Sequence, residues 1–152
     1  MPTIQYSTKL RNAQMDMVMA VLKNLTVTNS AISGTPTAPT LKILGGSGVT
    51  MPANCAAADT GTVLATINLT TTSFAAASSG SVAKSGTWND ISADWTGNAV
   101  YFRIYDSAGV CHIQGNISTV TAGTGALQLD TTAIVSGQIV NISDFTLTAG
   151  NS

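Results

Sequence analysis

The sequence predicts a mainly β fold, an antiparallel β-sandwich or jelly roll with one N-terminal α-helix, and three observations predict it. Charged residues make up only 9% of the 152 residues, and all seven acidic ones are Asp. Soluble domains ordinarily carry roughly 25% charge. Glu, Lys and Arg favour helices, whereas Thr, Ser, Gly and Asn favour strands and turns, so this balance points away from a helical fold. Short alternating apolar runs separated by Gly, Ser, Asn and Asp clusters are the pattern of antiparallel strands joined by tight turns. Helical period marks one stretch, after Ser7. The length suits a single domain over 1–152, with 1–27 an N-terminal segment holding the helix and 28–152 the sandwich.

Taken in order, Ser7 or Thr8 caps a helix that runs to about Lys23 or Asn24. Leu10, Ala13, Met17, Val18, Val21, Leu22 and Leu25 follow its 3.6-residue spacing and are expected to face the core. Met15 and Met19 fall off the centre of that stripe, where adaptable thioether side chains suit contact with a partner. A strand is expected to begin near Leu25-Thr-Val-Thr28. Asn29 to Pro39 reads as a loop, and Thr40-Leu-Lys-Ile-Leu44 as a strand closed by Gly45-Gly-Ser-Gly48. That glycine run lacks the Lys-[Ser/Thr] ending of a phosphate-binding loop and is read as a turn. Met51 to Gly61 is a loop. Thr62 to Leu69 is a strand with Val63, Ala65, Ile67 and Leu69 on one face. Ser81 to Trp88 makes another strand, and Asn89-Asp90 and Asp94 to Asn98 make turns. Ala122-Gly-Thr-Gly125 turns the chain into Leu127-Gln-Leu129. The last strand, Gln138 to Thr148, changes parity between Ile142 and Phe145, which predicts a β-bulge near Ser143-Asp144.

The most informative stretch is Ala99 to Gly115, two strands around the turn Asp106-Ser-Ala-Gly109. Pairing Tyr105 with Val110 places Phe102, Ile104, Cys111 and Ile113 on a core face. The other face then carries Tyr101, Arg103, Tyr105, Val110, His112 and Gln114 as an amphipathic surface open to contact.

Six Lys plus Arg against seven Asp leave no basic footprint for nucleic acid. No apolar run approaches the ~20 residues that span a bilayer. Lys9 and Arg11 precede an apolar stretch as in a signal peptide, but Asp16 interrupts it. A charge-poor surface suits a protein that spends its life packed in an assembly. Cys55 and Cys111 show no metal spacing and read as small buried hydrophobes, with a disulfide as the alternative. Asn89, Asp90 and Asp94 offer oxygen ligands without the spacing of a calcium loop. His112 is the one histidine and there is no GxSxG elbow, so the expectation is a protein that is not an enzyme and needs no cofactor or metal. Trp88, Trp95, Tyr101 and Tyr105, aromatic with polar tips, are candidate interface anchors or a sugar-stacking platform. With Met15, Met19, Arg103 and His112 they form the candidate partner interface.

Tyr6-Ser-Thr-Lys-Leu-Arg-Asn-Ala13, Pro52-Ala-Asn-Cys-Ala56 with Thr60-Gly-Thr-Val-Leu-Ala65, Phe102-Arg-Ile, Cys111-His-Ile-Gln-Gly115 and Leu127-Gln-Leu-Asp130 span most of the chain. With these motifs it resembles the small virion structural proteins of tailed phages and prophages. The resemblance implies a capsid decoration (cement) protein, or a tail or neck protein, and it carries no catalytic motif. What it implies for partners is the major capsid protein and further copies of the chain, as a dimer or trimer, with neither nucleic acid nor membrane. The implied location is the capsid surface of the virion, after assembly in the host cytoplasm. A receptor- or carbohydrate-binding module is the alternative from another class.

Overall fold

The structure, a computed structural model, describes residues 5–28 and 31–150. With 40% strand against 10% helix it is mainly β, with one helix and a mixture of antiparallel and parallel pairing. In chain order the elements are α1 (Thr8–Leu22), β1 (Thr26–Thr28), β2 (Ala31–Ser33), β3 (Thr40–Gly45), β4 (Thr62–Asn68), β5 (Ser81–Ala83) and β6 (Trp88–Asp90). They continue with β7 (Gly97–Tyr105), β8 (Cys111–Thr119), β9 (Leu127–Leu129), β10 (Ala133–Ile134), β11 (Val140–Ile142) and β12 (Thr146–Thr148). The main sheet runs β4-β3-β7-β8-β9, with β10 paired to the start of β7. The stretch expected to be a loop from Asn29 to Pro39 contains β2, which closes a short antiparallel pair on β1; Asn29 and Ser30 themselves lie outside the described residues.

Helix α1 starts where the sequence places it. Ser7 Oγ accepts from the Leu10 N–H at 3.3 Å, and the helix ends at Lys23, followed by Asn24 in the left-handed region. Its rotation about its own axis differs from the expected one. Met15, Met19, Ala20 and Leu22 are buried in the common core, while Leu10, Met17, Val18 and Val21 are exposed. Apolar side chains occur nearly all round this helix, so spacing alone does not choose a face. Two polar residues in its first turns do. Arg11 donates through Nε and Nη2 to the Ala149 carbonyl, at 3.3 and 3.1 Å, and Asn12 Oδ1 accepts from the Gly80 N–H at 2.6 Å. Met15, Met19 and Leu22 follow Arg11 at one-turn intervals and are carried inward with it.

The β7–β8 hairpin forms around the predicted turn. Gly109 takes a φ of +81°, and Asp106 Oδ1 accepts from the N–H groups of Ala108 and Val110, both at 2.9 Å. The register is longer than expected. Tyr105 faces Cys111, Ile104 faces Ile113, Arg103 faces Gln114 and Phe102 faces Gly115, with a bulge between Ile104 and Tyr105. Because the net slip beyond the bulge is two residues, Phe102, Ile104 and Ile113 keep the expected face. Cys111 moves to the Tyr105 side. Gly115 is required there, since a Cβ would sit 2.7 Å from the Phe102 ring.

Four other expectations are corrected. The turn at Ala122-Gly-Thr-Gly125 brings β9 alongside β8 in parallel, not antiparallel. Side chains of β8 catch the connector: Asn116 Oδ1 accepts from Ala126 N–H at 3.2 Å and Ser118 Oγ from Gly125 N–H at 2.8 Å. The expected last strand is two strands, β11 on β6 and β12 on β5, so the parity change at Ser143-Asp144 is a change of partner strand. Likewise Ser81 to Trp88 is not one strand, because it breaks at Ser85-Gly86; Asn89 and Asp90 lie in β6 and not in a turn.

The core joins the Ile43, Phe102 and Ile104 face of the main sheet to Val82, Trp88, Val140 and Ile142 of the short pairs β12-β5 and β11-β6. Trp88 contacts Phe74 edge-on at 5.0 Å between centroids and Phe145 at 5.3 Å, and Phe145 reaches Phe102 at 5.5 Å. Such aromatic pairs add specific geometry to the area they bury.

Candidate functional site

The opposite face of the main sheet was expected to be open, and it is covered. The loop between β3 and β4 folds back over Tyr101, Arg103 and Tyr105, which are 0%, 1% and 7% exposed. Arg103 organises the cover. Its Nη1 donates to the Ala57 carbonyl at 2.8 Å and to Asp59 Oδ1 at 2.7 Å. Nη2 donates to the Asn54 carbonyl and to Gln114 Oε1, both at 2.9 Å, and Nε to the same Gln114 oxygen at 3.2 Å. All five guanidinium N–H groups are thereby used, which offsets the desolvation of a buried charge.

The neighbours complete the seal. Gln114 Nε2 donates to the Pro52 carbonyl at 2.7 Å, and Tyr105 Oη donates to Asp59 Oδ1 at 2.6 Å. Burial and the bond to Asp59 raise the Tyr105 phenol above its ordinary range. Tyr101 Oη accepts from Thr60 N–H and donates to the Thr60 carbonyl, at 2.9 and 2.7 Å. Cys55, in this loop, and Cys111, at the start of β8, are half-buried free thiols on neighbouring segments, not the fully buried hydrophobes expected.

Of the eight expected interface residues, six are internal. Met15 and Met19 lie in the core for the rotational reason given above. Trp88 is fully buried, its Nε1 donating to the carbonyls of Ser73 and Ser85 at 3.1 and 3.2 Å. Tyr101, Arg103 and Tyr105 lie under the loop. His112, displaced by the hairpin bulge, is not beside Arg103 but bonds Asp106 Oδ2 through Nε2 at 3.1 Å, with 26% of its side chain exposed. It borders a shallow hollow formed with Gln14, Val18 and Thr148, whose one hydroxyl among the described residues, on Thr148, is hydrogen-bonded to Ser81 Oγ. An oriented imidazole is present there without, among the described residues, a free nucleophile in its lining.

Trp95 alone of the eight is well exposed, at 62%, and it stands in company that sequence reasoning missed. Ile91 is 74% exposed, Ile139 65% and Val135 56%. These residues belong to two adjoining loops, 91–96 and 135–139. Ala93 N–H donates to the Gln138 carbonyl and Gly137 N–H to the Ala93 carbonyl, both at 2.8 Å, and Ser136 N–H to Thr96 Oγ1 at 2.9 Å. Antiparallel pairing of Asp90 with Val140 makes Ile91 and Ile139 the next positions in that register. The acidic side chains here are turned to the scaffold. Asp90 accepts from the N–H groups of Thr66 and Ser92, and Asp94 from Thr66 Oγ1 at 2.7 Å. Isolated isoleucines among turn-forming residues were the sequence signal for this surface, because turn tips have no core to receive them.

Among the described residues, no group of three His, Cys, Asp or Glu side chains converges as metal ligands, and no helix is long and apolar enough to cross a membrane. No protein-family model, no curated protein and no solved structure matches this chain.

Proposed function

We propose that this chain is a non-enzymatic structural protein of a tailed-phage virion, a capsid decoration protein of sandwich or jelly-roll type. In this reading it binds and stabilises neighbouring subunits of the major capsid protein. The observation that supports it is the exposed apolar surface of Ile91, Trp95, Val135 and Ile139 on a domain with only 9% charged residues. Apolar side chains exposed on adjoining loops of a charge-poor protein are favourably covered by a partner. Covering such a side chain contributes about 1.5–3 kcal/mol. A dimer or trimer would engage several shell subunits at once, so modest contacts add as avidity.

The test is the double variant Trp95→Ser, Ile139→Ser added to particles lacking the native protein. Occupancy should fall by roughly tenfold or more, with a thermal midpoint within a few degrees of the parent, as for surface substitutions. Unchanged occupancy would overturn the reading, and cryo-electron microscopy of intact particles would assign a capsid, neck or tail position. The exposed Trp95 ring favours one second reading, a carbohydrate-binding module; a glycan array that gives specific binding abolished by Trp95→Ser would select it.

A further inference from the structure

We infer that Cys55 and Cys111 form a redox-closed staple that locks the β3–β4 loop onto the β7–β8 hairpin. The backbone on both sides of Cys55 and the thiol of Cys111 are held by bonds that do not involve the other cysteine. Cys55 follows Asn54 in a turn whose Asn54 Oδ1 accepts from the N–H groups of Ala56 and Ala57, both at 3.0 Å. The carbonyls of Asn54 and Ala57, on either side of Cys55, both accept from Arg103. Cys111 is fixed opposite Tyr105 in the ladder, on the face that Arg103 shares, and its Sγ donates to the Ile113 carbonyl at 3.6 Å. Burial and the adjoining Cys55 thiol disfavour ionisation of Cys111. The folded chain therefore presents two preorganised thiols, one on each side of the seam between cover and sheet.

Closure proceeds by exchange with a low-molecular-weight disulfide. The Cys55 thiol, on the loop, loses its proton, and its thiolate attacks one reagent sulfur; the reagent S–S bond breaks and one reagent thiolate leaves. Cys111 then loses its proton and attacks the Cys55 sulfur, forming the Cys55–Cys111 bond and expelling the second reagent thiolate. The protein loses two protons and two electrons, and the reagent disulfide gains them as two thiols. Because the second attack needs an ionised Cys111, closure should be slow at neutral pH and accelerate as pH rises. This chemistry does not rest on the virion reading and fails or stands separately from it.

The experiment equilibrates the reduced protein in oxidised and reduced glutathione mixtures, folded and in urea, and counts free thiols by alkylation and intact mass. The expected result is an intramolecular bond whose equilibrium constant is on the order of 100-fold larger in the folded protein than in urea. The closed form should also melt on the order of 10 °C higher than the reduced form. Cys111→Ser should give a stable glutathione adduct at Cys55. Should that variant not fold, Cys55→Ser, on the loop, should show no oxidation-dependent change in melting. Asp59→Asn, which loosens the cover, should lower the folded-state constant severalfold. Equal constants in the folded and unfolded chain, glutathione adducts on both cysteines, or disulfide-linked dimers would each overturn the staple.

Discussion

Arg103 shows how one residue can close a surface. A guanidinium taken out of water needs all its donors occupied, and here backbone carbonyls of the loop supply two of the partners. Lysine keeps the charge but cannot present the planar fork. Arg103→Lys is expected to cost roughly 2–4 kcal/mol in urea denaturation, because the carbonyls of Asn54 and Ala57 lose their donors. It should also raise hydrogen exchange across 51–61. Asp106 is a second single-residue hinge of stability. Burial alone would raise its carboxyl, but the bonds from Val110, His112 and Ala108 outweigh it and hold it below the ordinary 3.8. A carboxylate depressed in the folded state contributes stability that is present above its unfolded value and is lost as pH falls through the folded one. Asp106→Asn should therefore cost about 1 kcal/mol at neutral pH and nothing extra once the medium is well below pH 3.8. Urea titrations at a series of pH values read both.

The helix carries the sharpest difference between elements and their orientations. Its start and end were legible because Ser7 and Asn24 act within one turn of themselves. Its buried face was not, because a carbonyl at Ala149 and an amide at Gly80, far along the chain, set the rotation. The hairpin repeats the lesson. Alternation identified Phe102 and Ile104 as core, but no local signal announced that a remote loop would bury Tyr101, Arg103 and Tyr105. Exposed isoleucines were readable in principle, since Ile91 and Ile139 sit among turn residues. A paired substitution separates the helix faces. Met15→Ala is expected to cost roughly 2–5 kcal/mol, the range for emptying a core site. Met17→Gln with Val21→Gln should stay within about 1 kcal/mol of the parent. Thermal unfolding followed by circular dichroism measures both, and similar losses in the two variants would contradict the observed rotation.

Across the whole molecule, the order β4-β3-β7-β8-β9 places strands distant in sequence at the centre of the sheet. The β3–β7 pairing must wait for the intervening chain to close, so folding in the millisecond-to-second range is expected, slower than a helical protein of this size. Stopped-flow fluorescence of Trp88, buried in the aromatic cluster, would time it. The clasp between Arg11 and Ala149 has a consequence for topology itself. It holds the first helix against the residue just beyond β12, so the two end segments of the described chain meet there. A short flexible bridge could then join them while new ends are opened at the turn around Gly86, where a Cβ would meet nothing. Such circular permutants keep every sheet partner and should fold. They would move the attachment point for a fused peptide to the opposite end of β5, turning one domain into a scaffold with a choice of exits.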